Sequence, residues 1–278
     1  GYIVGCQINI GCPADLGPTT LTGTVTIPAG NLPLYNAKVY IPAFDVPPPP
    51  ATGPACESCD QVIPGDAIAS ATTDINGNFT LKNVPSGTDI PLVIRLGKWR
   101  RVVTIPAITD CTSTPLDAGM THMPRNQMEG NIPKFALTTG SADAMECILR
   151  KNKLGLDDSE FTLATGNGRV NFYTGGANNG NTGANKFKAG FNGAAQAQNF
   201  TAANPWWNTA ANWDKYDVVM LSCEGDVNAG EKNAQAHGAL QSYIDRGGRV
   251  FASHWHNIWI SGATNAVNTV ATITTEHK

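Results

Sequence analysis

Tyr216-Asp217-Val218-Val219-Met220-Leu221-Ser222 is an apolar run that a helical pattern over 229–246 follows, and then Gly247-Gly248-Arg249-Val250-Phe251-Ala252-Ser253 begins. An apolar run of this length, rich in β-branched residues, fits a strand covered on both faces, as in parallel sheets. Gly247 and Gly248 stand where a helix stops. Strand, helix and strand in this order read as one crossover unit, whose right-handed connection brings both strand ends to the same edge of a sheet. Ligands of open α/β sheets bind along that edge. The residues just past the two strands are therefore the expected place for chemistry: Cys223-Glu224 after the first, His254-Trp255-His256 after the second.

Upstream, Lys134-Phe135-Ala136-Leu137-Thr138-Thr139-Gly140 reads as a further buried strand. Ser141 is expected to cap a helix over 142–153, with Met145, Ile148 and Leu149 on one stripe and Gly155 closing it. Arg169-Val170-Asn171-Phe172-Tyr173 reads as another strand, and the Gly/Asn-rich stretch 175–193 as a mobile surface loop. Residues 134–278 are thus expected to form a three-layer α/β domain with a flavodoxin-like parallel sheet. A linker is expected over 117–133, where Pro124, Asn126, Gly130 and Pro133 break any period.

Before it the period changes to two, the signature of half-buried strands, from 21 to about 106. Thr22-Gly23-Thr24-Val25-Thr26-Ile27, Ala37-Lys38-Val39-Tyr40-Ile41 and Asn78-Phe79-Thr80-Leu81 alternate; Pro91-Leu92-Val93-Ile94-Arg95-Leu96 and Arg101-Val102-Val103-Thr104-Ile105 are joined at Gly97-Lys98. Asn76-Gly77 predicts a type I′ hairpin. The prolines at 47–50 cannot lie in a sheet interior and mark an insertion. The fold class expected is multidomain: a short cysteine-bearing segment (1–20), an all-β sandwich (21–116), the linker, and the α/β domain.

Gly23-Thr24-Val25, Leu34-Tyr35-Asn36-Ala37-Lys38-Val39, Thr73-Asp74-Ile75-Asn76-Gly77-Asn78-Phe79 and Val84-Pro85-Ser86-Gly87 occur in the order found in carboxypeptidase regulatory-like, transthyretin-related sandwiches, which this region resembles. The resemblance implies a seven- or eight-stranded binding or spacer module without an active site of its own. Tyr216-Asp217-Val218-Val219, Tyr243-Ile244-Asp245-Arg246-Gly247-Gly248-Arg249 and Ser253-His254 are similar to class I glutamine amidotransferase-like domains. The trehalose-utilisation-protein branch is nearest, because it carries His at the turn where amidotransferases carry a nucleophilic Cys. The two-part order also resembles secreted proteins of myxobacteria, and implies an α/β region that runs on past residue 278.

Charged residues make up only 15% of the chain, so neutral Asn, Thr, Gly and Ala must cover the surface. A net charge of -3 gathers neither nucleic acid nor an anionic bilayer. No run reaches the length of a membrane-spanning helix. Ile3-Val4-Gly5-Cys6 has the form of a lipoprotein cleavage box, with a disulfide cysteine as the plainer alternative. Cysteines at 6, 12, 56, 59, 111, 147 and 223 point to an oxidising compartment, with short Cys6–Cys12 and Cys56–Cys59 staples expected. Secretion or cell-surface exposure is the expected localisation, with a protein or glycan partner, or self-assembly, as the expected interaction.

Two chemistries suit the strand-end residues. Cys223 can serve as a nucleophile with His254 or His256 as base, Glu224 as the orienting carboxylate, and the N–H groups of Gly225 or Asn257 as an oxyanion hole. Alternatively, if the strand continues, His254 and His256 point the same way and can share a zinc ion with Glu224 or Cys223. The plainer reading makes Cys223 a buried small hydrophobe and the histidines strand-end hydrogen bonders. Asp74-Ile75-Asn76-Gly77-Asn78 resembles half a calcium loop, but Pro85 falls where the loop needs its bidentate carboxylate. Lys98-Trp99-Arg100-Arg101 reads either as a grip for an anionic partner or as charges guarding a strand edge. Trp206, Trp207, Trp213, Trp255 and Trp259 read as a sugar platform or as core packing.

Overall fold

The computed structural model describes residues 11–56, 63, 66–150, 153–176 and 183–271. The expectations for the Ile3–Cys6 box and Cys59 lie outside them. The described residues fall into two compact units, one of 11–50, 63, 66–132 and 153–156, the other of 51–56, 133–150, 157–176 and 183–271. Among them no helix is long and apolar enough to cross a membrane.

The first unit is a β-sandwich. Its strands are β1 (Thr20–Thr24), β2 (Lys38–Pro42), β3 (Ala67–Thr72), β4 (Asn78–Lys82), β5 (Gly87–Leu96), β6 (Trp99–Ile108), β7 (Ser113–Pro115) and β8 (Gly130–Asn131). One sheet has the order β4-β1-β7, the other β3-β2-β5-β6-β8. Alternation decides which side chains meet between them: Phe79 and Leu81 of β4 are buried while Asn78, Thr80 and Lys82 face water. Leu21, Val39, Ile41, Ile90, Leu92, Ile94 and Ile105 complete this core.

Several expectations change here. The Asn76-Gly77 turn is not a type I′ hairpin, which needs positive φ at both residues. Only Gly77 has it (φ 74), and the turn passes from β3 in one sheet to β4 in the other. Asp74 organises it, Oδ1 accepting the N–H groups of Asn76 (2.9 Å) and Asn78 (2.8 Å). Nor do the cations after Gly97 guard an edge, since β8 pairs alongside β6 at Arg100 and Arg101. Arg100 is buried and donates to Pro47 O and Asn131 Oδ1, and Arg101 donates to His122 O. Residues 117–133, expected as a linker, carry the short helix α1 (Ala118–Thr121), capped by Asp117, and the strand β8. Thr121 Oγ1 donates to Thr24 O and Met123 enters the sandwich core.

Cys12 is bonded to Cys111, 99 positions away, and not to Cys6. The bond ties the chain just before β1 to the chain just before β7, its parallel neighbour. Cys56 is a free, exposed thiol.

In the second unit the strands are β9 (Phe135–Thr139), β10 (Phe161–Leu163), β11 (Val170–Thr174), β12 (Lys186–Phe187), β13 (Gln198–Asn199), β14 (Thr201–Ala202), β15 (Val218–Leu221) and β16 (Arg249–Ala252). Five of them form a parallel sheet in the order β10-β11-β9-β15-β16, with β14 also pairing with β11. The helices are α2 (Glu146–Leu149), α3 (Ala203–Trp207), α4 (Ala210–Trp213), α5 (Ala234–Asp245) and α6 (Ile258–Ser261). Every residue of β9 and β11 is buried, as a strand covered on both faces must be. Val219 and Leu221 of β15 pack with Leu240 and Tyr243 of α5 and with Trp207, Trp213 and Trp259. Four of the five tryptophans are therefore core; Trp255 alone is half-buried.

The helix expected over 142–153 shrinks to the single turn α2. Tertiary partners draw its first residues away: Ala142 N–H donates to Cys223 O (3.1 Å), and Ser141 Oγ to Glu224 O (2.9 Å) instead of capping a helix. The stretch 183–193 is not a free loop either, because Phe187 is buried against Phe172 and Phe191, with ring centroids 5.0 and 4.6 Å apart.

Candidate functional site at the edge of the parallel sheet

Leu221 pairs with Ala252, so Cys223 and His254 each stand two residues beyond a matched pair and arrive level at the sheet edge. Ser253 N–H extends the ladder by one bond to Leu221 O (3.1 Å). The chain then turns at His254, whose φ of 40 lies in the left-handed region, and enters a 3-10 turn over His254–Asn257 that leads into α6. Cys223 Sγ lies 3.4 Å from His254 Nδ1. The thiol is 1% exposed, whereas the imidazole side chain is exposed.

Asp143, from the stretch expected as a helix, organises this pair. One carboxylate oxygen accepts Cys223 N–H (3.0 Å) and the other accepts Ser253 Oγ–H (2.5 Å), clamping the two strand ends together. Gly140 permits the approach, since a Cβ there would stand 2.0 Å from Cys223 O.

Glu224 does not orient His254. Its fully buried carboxylate accepts from Asn228 Nδ2 (2.9 Å) and from Lys232 Nζ, and both members of the ion pair are 1% exposed. Oε1 has no hydrogen-bond partner and lies 3.9 Å from His256 Nε2. Thr138 Oγ1 and Ser222 Oγ, at the ends of β9 and β15, are likewise buried and unpartnered. Native structures leave few such atoms, and a cluster of them calls for an explanation.

His256 is a structural residue. Nε2 donates to Ser222 O (2.8 Å) and Nδ1 accepts from Trp259 Nε1–H (3.0 Å), which fixes the tautomer. Burial, reinforced by Lys232 and opposed by Glu224, pushes its pKa down to about 4. It is therefore neutral and in no position to deprotonate Cys223.

The zinc reading loses its premise. It assumed extended chain through 254–256, but a 3-10 turn rotates successive side chains apart, and both nitrogens of His256 are already engaged. Among the described residues no group of three or more His, Cys, Asp or Glu side chains is placed to hold a metal ion. The edge thus brings together Cys223 and His254, keeps Glu224 and His256 in a buried layer beside them, and adds Asp143, Asn228 and Lys232. Asn228 and Lys232 lie in the short connection between β15 and α5, where any polar residue is a neighbour of the sheet edge, whereas Asp143 comes from 80 positions upstream and carries no local signal.

No family model matches the sequence, and neither does any curated protein. Among solved structures, a C-terminal interface mutant of a type II cohesin–X-dockerin complex from Acetivibrio cellulolyticus is 17% identical, over 45% of this chain and 78% of that one, with a TM-score of 0.26. The N-terminal interface mutant of the same complex gives 18% identity, 46% and 79% coverage and a TM-score of 0.25. A 9R-lipoxygenase from Cyanothece gives 18% identity, 40% and 18% coverage and a TM-score of 0.19. Scores this low carry no argument about fold or activity.

Proposed function

We propose that the chain is an exported binding protein of the cell surface, with the sandwich as docking module and the α/β unit as a flavodoxin-like domain whose sheet edge holds a ligand or structural polar cluster without covalent chemistry. On this reading the first unit is a carboxypeptidase regulatory-like sandwich and the second an amidotransferase-like domain of the trehalose-utilisation-protein kind. The observation that carries the proposal is the state of Cys223: its thiol is 1% exposed. A covalent nucleophile must reach its substrate. Export is supported by the Cys12–Cys111 disulfide, a bond that persists in oxidising compartments.

The second reading, a hydrolase or acyl-transfer enzyme using Cys223 and His254, is favoured by their 3.4 Å contact and by the left-handed backbone of His254. Such backbone outliers collect at functional sites. A panel of ester, amide and peptide substrates separates the two. The binding reading expects no turnover above background from the wild type or the Cys223→Ala variant, both folded; turnover that Cys223→Ala abolishes would overturn it in favour of the enzyme.

A further inference from the structure

Phe44, Asp45 and Val46, in the chain after β2, close one side of a groove whose other side is Asp89 and Pro91 of β5 and Val102 and Thr104 of β6. The strand residues belong to the outer face of the five-stranded sheet, since Pro91 pairs with Thr104 while the neighbouring pair Leu92–Val103 faces the core. Arg100 pins the loop down by donating to Pro47 O. The cavity measures about 150 Å³. Small-molecule sites usually run from about 300 to 1,000 Å³, whereas about 150 Å³ holds a body the size of benzene. One side chain fits; a cofactor does not.

The walls select the kind of side chain. Phe44 is 71% exposed and Val102 38%, and with Val46 and Pro91 they offer apolar surface to an aliphatic stem. Asp45 and Asp89 are exposed carboxylates at the same groove, and no hydrogen bond or ion pair to a described residue occupies either one. Asp89 also has φ 55, near the start of β5, between the pairs Thr88–Ala107 and Ile90–Ile105, where the residue across from it is Pro106, which has no N–H to offer. An apolar slot with an aromatic wall and two carboxylates complements a long stem ending in a planar cation.

We propose that this groove captures an arginine side chain presented by a partner polypeptide. The occupant is a polypeptide rather than the free amino acid, because residues flanking the arginine can also cover Phe44 and Val102, which the free amino acid would leave in water. The inference rests on the docking role proposed for the sandwich and names its ligand chemistry. Turnover at Cys223 would overturn that role without touching this groove, so the two can fail separately.

The test titrates the full chain with acetyl-Gly-Arg-Gly-amide while following the methyl resonances of Val46 and Val102. The peptide is expected to shift both, its citrulline isostere to bind about tenfold more weakly, as two exposed charge pairs allow, and free arginine, which lacks the flanking residues, to bind more weakly than the peptide. The Asp45→Asn/Asp89→Asn double variant should lose the same ~tenfold, with added salt weakening only the wild type. Asn tolerates the left-handed backbone at 89, so the variant keeps its fold. The proposal is overturned if the arginine peptide shifts neither methyl, if citrulline or free arginine binds as tightly, or if the double variant binds unchanged.

Discussion

Replacing Cys12 and Cys111 by serine removes a cross-link whose ends are 99 positions apart. The bond acts mainly on the unfolded chain, whose freedom it cuts by the closure entropy of that loop; for a loop of about 100 residues this is roughly 4.7 kcal/mol at 25 °C. The native contacts beside it do not replace it. Thr20 N–H still reaches Thr112 O (2.9 Å) and Cys111 N–H reaches Thr19 Oγ1 (2.8 Å), but neither restrains a chain already unfolded. In a unit of this size each kcal/mol moves the melting midpoint by about 3–5 °C, so the variant should melt on the order of 15–20 °C lower. Differential scanning calorimetry of the oxidised protein, the protein in reductant and the double serine variant measures it. The last two should agree with each other and fall together. A midpoint within about 3 °C of the oxidised wild type would mean that the bond constrains the unfolded chain hardly at all.

Other consequences follow from the buried layer at the sheet edge. Glu224→Gln leaves Lys232 charged, buried and unpaired, and should cost about 3–5 kcal/mol in urea denaturation, while Glu224→Gln/Lys232→Met should recover most of that loss. His256 titrates near 6.5 when unfolded and only at about 4 when folded. The unfolded state therefore binds the extra proton between those values, and stability is full above pH 6.5 and declines by up to about 3 kcal/mol as the pH falls to 4. The His256→Gln variant should flatten that part of the stability–pH profile relative to wild type, and an unchanged profile would remove the imidazole from the account.

Alternation made most of the sandwich legible, because Phe79 and Leu81, or Leu92 and Ile94, leave no choice of inner face. Strand β3 carries a weaker signal: apart from Ile68, Ala67-Ile68-Ala69-Ser70-Ala71-Thr72 is made of small residues with little contrast between its faces. The short helix α2 shows the opposite failure, where a sound helical pattern yields to bonds formed with residues about 80 positions away. The same distance hid Asp143. Cys223 and His254 could be placed because two parallel strands in register must deliver their next residues together. His256 was misplaced by the assumption that the chain stays extended past Ser253. Disulfide pairing over 99 positions is not a property of local spacing at all.

Alkylation of the native protein with iodoacetamide, read peptide by peptide in the mass spectrometer, tests most directly whether the thiol at the sheet edge is sealed. Cys56 and Cys147 are exposed free thiols and serve as internal reporters. Both should be modified promptly while Cys223 reacts only after unfolding. Native labelling of Cys223 at the reporters' rate or faster, slowed by His254→Ala, would contradict that sealing.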